Sequence, residues 1–558
     1  MPTPTPWSDE LTINLTTTGN QGGPSLVGLA NGRFLVSWSD DSATTGDRSG
    51  AAIRSRVFAA DGSAFGAEQV VNTTRSSDQV GDSIAVLADG RIVLVWADFS
   101  ETGADRSLGA IRAQICNPDG SLTGPEILVN SVTEGNQVGA AVTALSDGRF
   151  VVVWSGSDAD GAGIRAQMFT AGGARSGSEF QVNTSFANRQ DAAAVTGLTG
   201  GRFVVTWLDE SESAGDPSGT TVRGQVFLAT GARAGGEFVI PTTTGGNQAE
   251  PALTALSDGR FVAIWTDYSQ TGGDTSGAAI RARLFNADGS TAGAEFLVNE
   301  ATLFGQSEPA ISALSGGGFV AVWTDTSGDG GDPAPYAVKA QVFDATGAKS
   351  GTEFLVNVTT AGNQTNPVVT ELADGRIAFA WMDESGTTGT EIRGRIFDPR
   401  LAGIVLTGTD KGDDFVGSKY ADRLSGGAGF DRLVGSGGRD VLEGGDANDT
   451  LIGGAGSDVL RGGVGQDRLD GASQNDTMTG GGQADVFVFA RGGNWDRITD
   501  FSAAVDRIDL RDFGFADFAA ARDAFFREGS NLVFGIGADR LVIEDFALRQ
   551  LSADDLIL

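Results

Sequence analysis

Aspartate returns every nine residues between positions 413 and 485, and that period leaves this part of the chain very few ways to fold. The ladder runs Asp413, Asp422, Asp431, Asp440, Asp449, Asp458, Asp467, Asp476 and Asp485. Five residues before each stands a glycine: Gly408, Gly417, Gly426, Gly435, Gly444, Gly453, Gly462, Gly471 and Gly480. Two residues after each stands an apolar side chain: Phe415, Leu424, Leu433, Leu442, Leu451, Leu460, Leu469, Met478 and Phe487. Glycine is costly within a helix and permissive at positive φ, so each unit reads as a six-residue turn followed by a three-residue strand. Each strand points one side chain inward, and the leucine column is the only core such a coil can build. Two units complete one coil. Asp413, Asp431, Asp449, Asp467 and Asp485 therefore share one edge, and Asp422, Asp440, Asp458 and Asp476 the other.

Carboxylates stacked at strand spacing, about 4.8 Å, repel one another unless a cation lies between them. Oxygen-only ligands, carboxylate plus backbone carbonyl, select a hard cation of flexible coordination, hence several Ca²⁺ ions rather than zinc or copper. Three turns match at every glycine and aspartate position: Gly426, Gly427 and Gly429 before Asp431; Gly453, Gly454 and Gly456 before Asp458; Gly462, Gly463 and Gly465 before Asp467. Lys411 and Tyr420 replace the fourth-position glycine in the first two turns, and Gln474 and Gln483 in the last two. Those outer turns are expected to cap the roll and to bind weakly or not at all.

This pattern resembles the RTX, or hemolysin-type, calcium-binding repeat. The resemblance implies a parallel β-roll and export by type I secretion machinery, whose cargo carries an uncleaved C-terminal signal. The chain ends Asp554-Asp555-Leu556-Ile557-Leu558, similar to the acidic-then-apolar terminus of serralysin-type cargo. Its start, Met1 to Trp7, lacks the basic and apolar regions of a cleaved signal peptide. No apolar run approaches a membrane span. Calcium sites tuned to roughly 10⁻⁴–10⁻³ M would stay empty in the cytosol and fill outside, so a secreted, extracellular or surface-associated protein is expected. Composition agrees. Asp and Glu number 72 against 39 Lys and Arg, a net charge of −33 that disfavours nucleic acid and anionic membranes as partners. Cys116 is the single cysteine, so no intrachain disulfide forms.

A second repeat fills the first four hundred residues. Trp38, Trp96, Trp154, Trp207, Trp265, Trp323 and Trp381 are spaced 58 residues apart, except for one interval of 53. Each unit predicts four short strands, typified by Pro251–Leu256, Arg260–Trp265, Ala279–Phe285 and Glu295–Asn299, with Asp-Gly turns closing the hairpins. Four antiparallel strands at this period indicate propeller blades. The seventh unit stops at Arg400 without a fourth strand. The chain opens with an orphan, Glu10 to Asn14, of the missing E-x-x-x-N form. If the orphan completes the last blade, the ring closes at seven with no edge left over.

Candidate functional residues in the ring follow the same symmetry. Gln21, Gln79, Gln137, Gln190, Gln248, Gln306 and Gln364 enter the blades, either gripping sugar hydroxyls or satisfying backbone groups at blade junctions. Asp40, Asp98, Asp209, Asp267, Asp325 and Asp383 stand two residues after their Trp, with Gly156 in the third blade. They read as a solvated rim, as secondary Ca²⁺ sites, or as part of a ligand surface. Arg54, Arg112, Arg165, Arg223, Arg281, Lys339 and Arg393 are expected to pair with neighbouring acids, and Cys116 to be a core thiol. The chain has no histidine, which excludes the H-E-x-x-H zinc site of serralysins and every Ser-His-Asp or Cys-His mechanism. A carboxylate-pair glycosidase survives this test, with Glu308 and Asp191 as departures from the repeat.

The expected protein is all-β: a seven-bladed β-propeller over 1–400, a parallel RTX β-roll over 401–488, and a C-terminal cap with the secretion signal over 489–558. Asp496-Arg-Ile and Asp506-Arg-Ile fall within that cap, which resembles its serralysin counterpart. Phe515 to Arg527 is expected to form its one helix, and Leu532–Phe534 with Leu541–Ile543 a closing hairpin. The expected role is non-enzymatic: the propeller binds an extracellular glycan or protein. The alternatives are a polysaccharide-acting enzyme and a structural coat or matrix component.

Overall fold

The middle strand of each repeat is buried on both faces, which is why it reads as an almost unbroken apolar run. In Phe261–Asp267, Phe261, Ala263 and Trp265 pack on Val204, Val222 and Val226 of the preceding blade. Val262 and Ile264 pack on Phe319, Ala321 and Trp323 of the next. All seven repeat tryptophans are fully buried in this way. The computed structural model describes residues 3–43, 50–106, 108–157, 161–185, 187–211, 219–243, 245–328, 332 and 334–558.

Six blades are continuous in sequence. The fifth, for example, joins Gln248–Ala255, Phe261–Asp267, Ala279–Phe285 and Phe296–Leu297 as antiparallel neighbours. The seventh is composite. Gln364–Glu371, Ile377–Asp383 and Glu391–Asp398 come from one end of the ring, and Thr5–Pro6 and Leu11–Thr12 from the chain's start. The orphan strand therefore closes the ring as its sequence form required.

Two further repeat residues tie each blade to its neighbour. Glu68, Glu126, Glu179, Glu295 and Glu353 accept backbone N–H groups of Leu15, Thr73, Ser131, Thr242 and Glu300 at 2.6–2.8 Å. Glu237 accepts from Thr184, and Glu10 carries the series across the closure to Val358 and Thr359. Asn14, Asn72, Asn130, Asn183, Asn299 and Asn357 each donate to the repeat glutamine seven residues on. Each also accepts the N–H of a neighbouring strand, as Asn72 does from Ile53 at 2.9 Å. Pro241 occupies the seventh place, and the buried Oε1 of Gln248 has no partner there. Replacing Pro241 by Asn is expected to restore about two hydrogen bonds, worth roughly 1–2 kcal/mol together. Calorimetry should then show the propeller melting about 1–2 °C higher; an unchanged midpoint would mean that proline's rigidity contributes as much.

The C-terminal part stacks parallel strands eighteen residues apart. Leu424, Leu442, Leu460 and Met478 form one column, and Phe415, Leu433, Leu451, Leu469 and Phe487 the other. The stacking runs past 488. Trp495–Ile498 and Arg507–Asp509 add another coil in the same parallel register. Asp539–Ile543 and Leu556–Ile557 then extend the two sheets, and Asn531–Ile536 pairs with Asp539–Ile543 as the expected hairpin.

The helix is shorter than its apolar pattern suggests. It spans Phe518–Arg522 only, capped by the Asp517 carboxylate on Ala520 N–H at 2.9 Å. Phe525–Glu528 forms instead a third strand on the hairpin. The Phe525 ring reaches its burial against Phe534, with centroids 5.1 Å apart, only from that strand. Tertiary pairing overrides helix propensity here.

Candidate metal centre and propeller face

In the propeller, the repeat glutamines are structural. Gln21, Gln79, Gln190, Gln248, Gln306 and Gln364 donate to the aspartate that follows their blade's tryptophan at 3.0–3.4 Å. Asp40, Asp98, Asp209, Asp267, Asp325 and Asp383 are correspondingly buried, at most 2% exposed. Each pairs with the strand-three cation, for example Asp267 with Arg281 at 2.6 Å and Asp325 with Lys339 at 3.1 Å. Neither a solvated rim nor a set of secondary calcium sites describes them, because their oxygens are spent on Gln, Arg or Lys, and Ser. Arg165 of the third blade, which lacks this aspartate, pairs with Glu179 at 3.2 Å. Cys116 is a buried core thiol, pushed up to about 12 by burial, and so protonated at neutral pH.

Symmetry breaks where the innermost strands begin. Two residues after the glutamine stand Gly23, Gly81, Gly139, Ala192, Glu250, Glu308 and Asn366, all at positive φ. Nothing lies within 4 Å of a Cβ built on Gly23 or Gly81. Opposite, the Glu250 carboxylate accepts the Glu308 N–H at 2.7 Å, and the Glu308 carboxylate accepts the Asn366 N–H at 2.8 Å. Tyr268, 46% exposed, has its hydroxyl pKa raised by burial and by these two carboxylates. Of the two departures read from sequence, Glu308 belongs to this cluster. Asp191 is held in an ion pair with Arg189 at 2.5 Å.

The roll carries a different chemistry. Each ladder aspartate donates its N–H to Oδ1 of the aspartate one coil on, from Asp413 to Asp431 through to Asp467 to Asp485, at 2.8–2.9 Å. The second oxygen, Oδ2, is buried without a partner in Asp431, Asp440, Asp449, Asp458, Asp467, Asp476 and Asp485. Gly426, Gly453 and Gly462 open the turns that fold over this oxygen; a Cβ on Gly426 would stand 2.0 Å from Asp431 Oδ2. Gly427, Gly429, Gly454, Gly456 and Gly463 take positive φ inside the turns, and Gly465 sits against the Ala447 carbonyl of the coil below. Gln474 and Gln483 hold the same left-handed backbone, at φ 80° and 78°. Asp476 and Asp485 are thus as unsatisfied as the inner positions.

Residues 407–442, 425–460, 443–478, 452–487 and 461–495 match the RTX calcium-binding nonapeptide repeat (4 copies). These coils carry RTX calcium-binding repeats. No curated protein matches the chain. Among solved structures, a protein of unknown function from Dyadobacter fermentans is similar at 13% identity, over 72% of this chain and 100% of its own, with a TM-score of 0.43. An α-L-arabinofuranosidase of Fusarium graminearum is similar at 10% identity, over 57% and 93%, with a TM-score of 0.41. The NanB sialidase of Streptococcus pneumoniae is similar at 11% identity, over 70% and 70%, with a TM-score of 0.39.

The RTX coils fit calcium on their own chemistry. Seven buried, unpaired carboxylate oxygens form a hard donor set. Among the described residues no three acidic, His or Cys side chains converge, so backbone carbonyls must supply much of each coordination shell. Without a cation, burial first and neighbouring carboxylates second push Asp440, Asp449, Asp476 and Asp485 up to about 7. Asp431 rises to about 6.

Two ladder members escape the nine-residue count. Asp476 N–H donates to Asp496 at 2.9 Å and Asp485 N–H to Asp506 at 3.0 Å. These steps span 20 and 21 residues instead of 18. The repeated Asp-Arg-Ile triplets, which match Asp431-Arg-Leu and Asp467-Arg-Leu, were the available signal.

Proposed function

We propose that this is a secreted protein whose RTX roll folds on calcium after export and whose propeller binds a surface glycan. The seven unpaired Oδ2 atoms carry the first half of this reading: the folded roll leaves buried negative charge that a divalent cation relieves. The C-terminal residues support export in the unfolded state. Leu556–Ile557 is a sheet strand and the fully buried Asp555 accepts the Ala504 N–H at 2.7 Å, so a folded roll withholds the terminus that type I machinery would engage.

For the propeller, the end of the ring that carries Glu250, Glu308, Asn366 and Tyr268 offers what a sugar uses: the carboxylate oxygens not engaged by Thr266 or Thr324, as acceptors for hydroxyls, and the half-exposed Tyr268 ring to stack on. The opposite mouth is apolar, lined by Leu87, Leu145, Leu198 and Leu256, and the roll docks on that turn face. The adjacent carboxylates keep a second reading, a carboxylate-pair glycosidase, in play. A glycan array with the calcium-loaded protein, run beside a polysaccharide hydrolysis assay, separates the two. Binding without turnover, weakened about tenfold or more by Glu250→Gln or Glu308→Gln, is the expected result. Turnover abolished by either substitution would establish the enzyme, and neither binding nor turnover would sink the glycan reading.

A further inference from the structure

Asp413 and Asp422 of the first coil are satisfied differently from the seven ladder aspartates that follow, Asp431 to Asp485. Asp413 Oδ2 accepts both the N–H and the hydroxyl of Thr409, at 2.7 and 3.2 Å. Asp422 accepts the N–H and hydroxyl of Ser418, at 2.5 and 2.9 Å, and the Ile404 N–H at 2.7 Å. Thr409 and Ser418 stand where later turns carry Gly427, Gly445, Gly454, Gly463 and Gly481. Those glycines adopt positive φ, whereas Thr409 and Ser418 do not, which turns their N–H and hydroxyl onto the carboxylate. Ser436 shows that a hydroxyl alone is insufficient: it sits at the same turn position with φ 72°, and Asp440 Oδ2 stays unpaired.

The same coil is built onto the propeller. Asp414 N–H donates to the Asn31 carbonyl at 2.8 Å, in a blade-one turn that brings Gly32 hard against the Asp414 backbone. Arg400, at the end of the last blade, donates to the Val416 and Gly417 carbonyls at 3.1 and 3.0 Å. Arg432 bridges Asp414 of the roll at 3.0 Å and Asp61 of blade one at 2.9 Å. Asp414–Val416 is an edge strand, and these contacts satisfy groups that would otherwise be left open.

We infer that residues 404–422 form a cation-independent starter coil, templated on the propeller, from which the calcium-dependent coils are laid down outward. Hydroxyl and amide donors do in this coil what a cation does in the coils from Asp431 to Asp485, whose Oδ2 atoms have no partner. The propeller thereby also lowers the cost of ordering the first coil, so that each following coil propagates from an existing edge.

Hydrogen exchange of the intact chain in excess EGTA tests this. The amides of 414–422 are expected to remain protected by about 10² or more while those of 441–488 exchange as unfolded chain. Thr409→Val combined with Ser418→Ala should abolish that protection and raise the calcium midpoint several-fold, with blade amides unchanged. Arg400→Ala should act the same way, because it removes the docking and leaves both hydroxyls. Exchange of 414–422 at the rate of 441–488 in EGTA would overturn the inference. So would an unshifted midpoint in both variants. Because the inference rests on calcium-driven folding of the later coils, a roll protected throughout in EGTA would instead defeat the proposed function itself.

Discussion

In calcium-free buffer near pH 8, the coils from Val441 to Val488 are expected to lose ordered structure while the seven blades stay folded. The cause is electrostatic. The folded roll buries a ladder of carboxylates with seven unpaired oxygens, and in water those same groups are solvated. Calcium that binds only the folded roll stabilises it by about 2.7 kcal/mol per site at a hundredfold excess over Kd, so several sites together are decisive. Calorimetry should show one transition that moves with calcium concentration and one, the propeller's, that does not. Acid should partly replace the metal. Asp440, Asp449, Asp476 and Asp485 titrate near 7 in the folded, cation-free roll against an ordinary value of 3.8, so folding takes up protons. Stability of the metal-free roll therefore rises as pH falls from about 8 towards 4, and calcium affinity falls over the same range because protons compete for the same oxygens. Circular dichroism along a pH series in EGTA reads this directly. A roll equally folded at pH 8 with and without calcium would refute the electrostatic account.

The second large effect is expected from the chain's start. Removing residues 1–14 should open the ring. The deletion takes away Ile13, almost fully buried, and Asn14, which accepts from Ile392 N–H at 2.8 Å and donates to Gln21 at 3.1 Å. It also takes Glu10, whose carboxylate accepts the Thr359 N–H at 2.8 Å, and both strands on Glu391–Asp398. Burial of Ile13 contributes roughly 2–3 kcal/mol and each lost buried hydrogen bond roughly 1 kcal/mol or more, giving a loss on the order of 5 kcal/mol. Thermal unfolding of the propeller should fall by about 6 °C, with aggregation through the uncovered strand. A propeller that melts unchanged would show that the first fourteen residues decorate the ring without closing it.

Much of this was legible from periodicity. A 58-residue spacing with an E-x-x-x-N strand displaced to the front carries both the blade count and the closure. The nine-residue ladder carries the roll, its two edges and its cation. Periodicity falls silent where a partner lies across a seam. Asp40 and its equivalents precede loops rich in polar residues and so read as exposed, yet they end buried strands, paired with an arginine or lysine of their own blade and with the repeat glutamine. Glu250 and Glu308 share one position of the repeat that varies among the other blades, and only the ring brings their side chains together beside Tyr268. Asp496 and Asp506 left the count because two or three inserted residues shift the sequence frame, whereas the stacked coil absorbs them in a turn.

The sequence by itself determined the all-β class, the seven blades, the order of propeller and roll, and the ladder of aspartates along the roll's two edges. Each of these follows from a spacing, and a spacing is a property of the chain before it folds. Only the tertiary structure decided that the inter-blade glutamates and asparagines tie the ring. It likewise decided that Phe525 leaves the helix for a strand, and that Thr409 and Ser418 satisfy the first two aspartates. Those outcomes depend on which group stands opposite after the ring and coils have closed, because a buried polar atom is stabilised by the partner it meets and not by its place in a repeat.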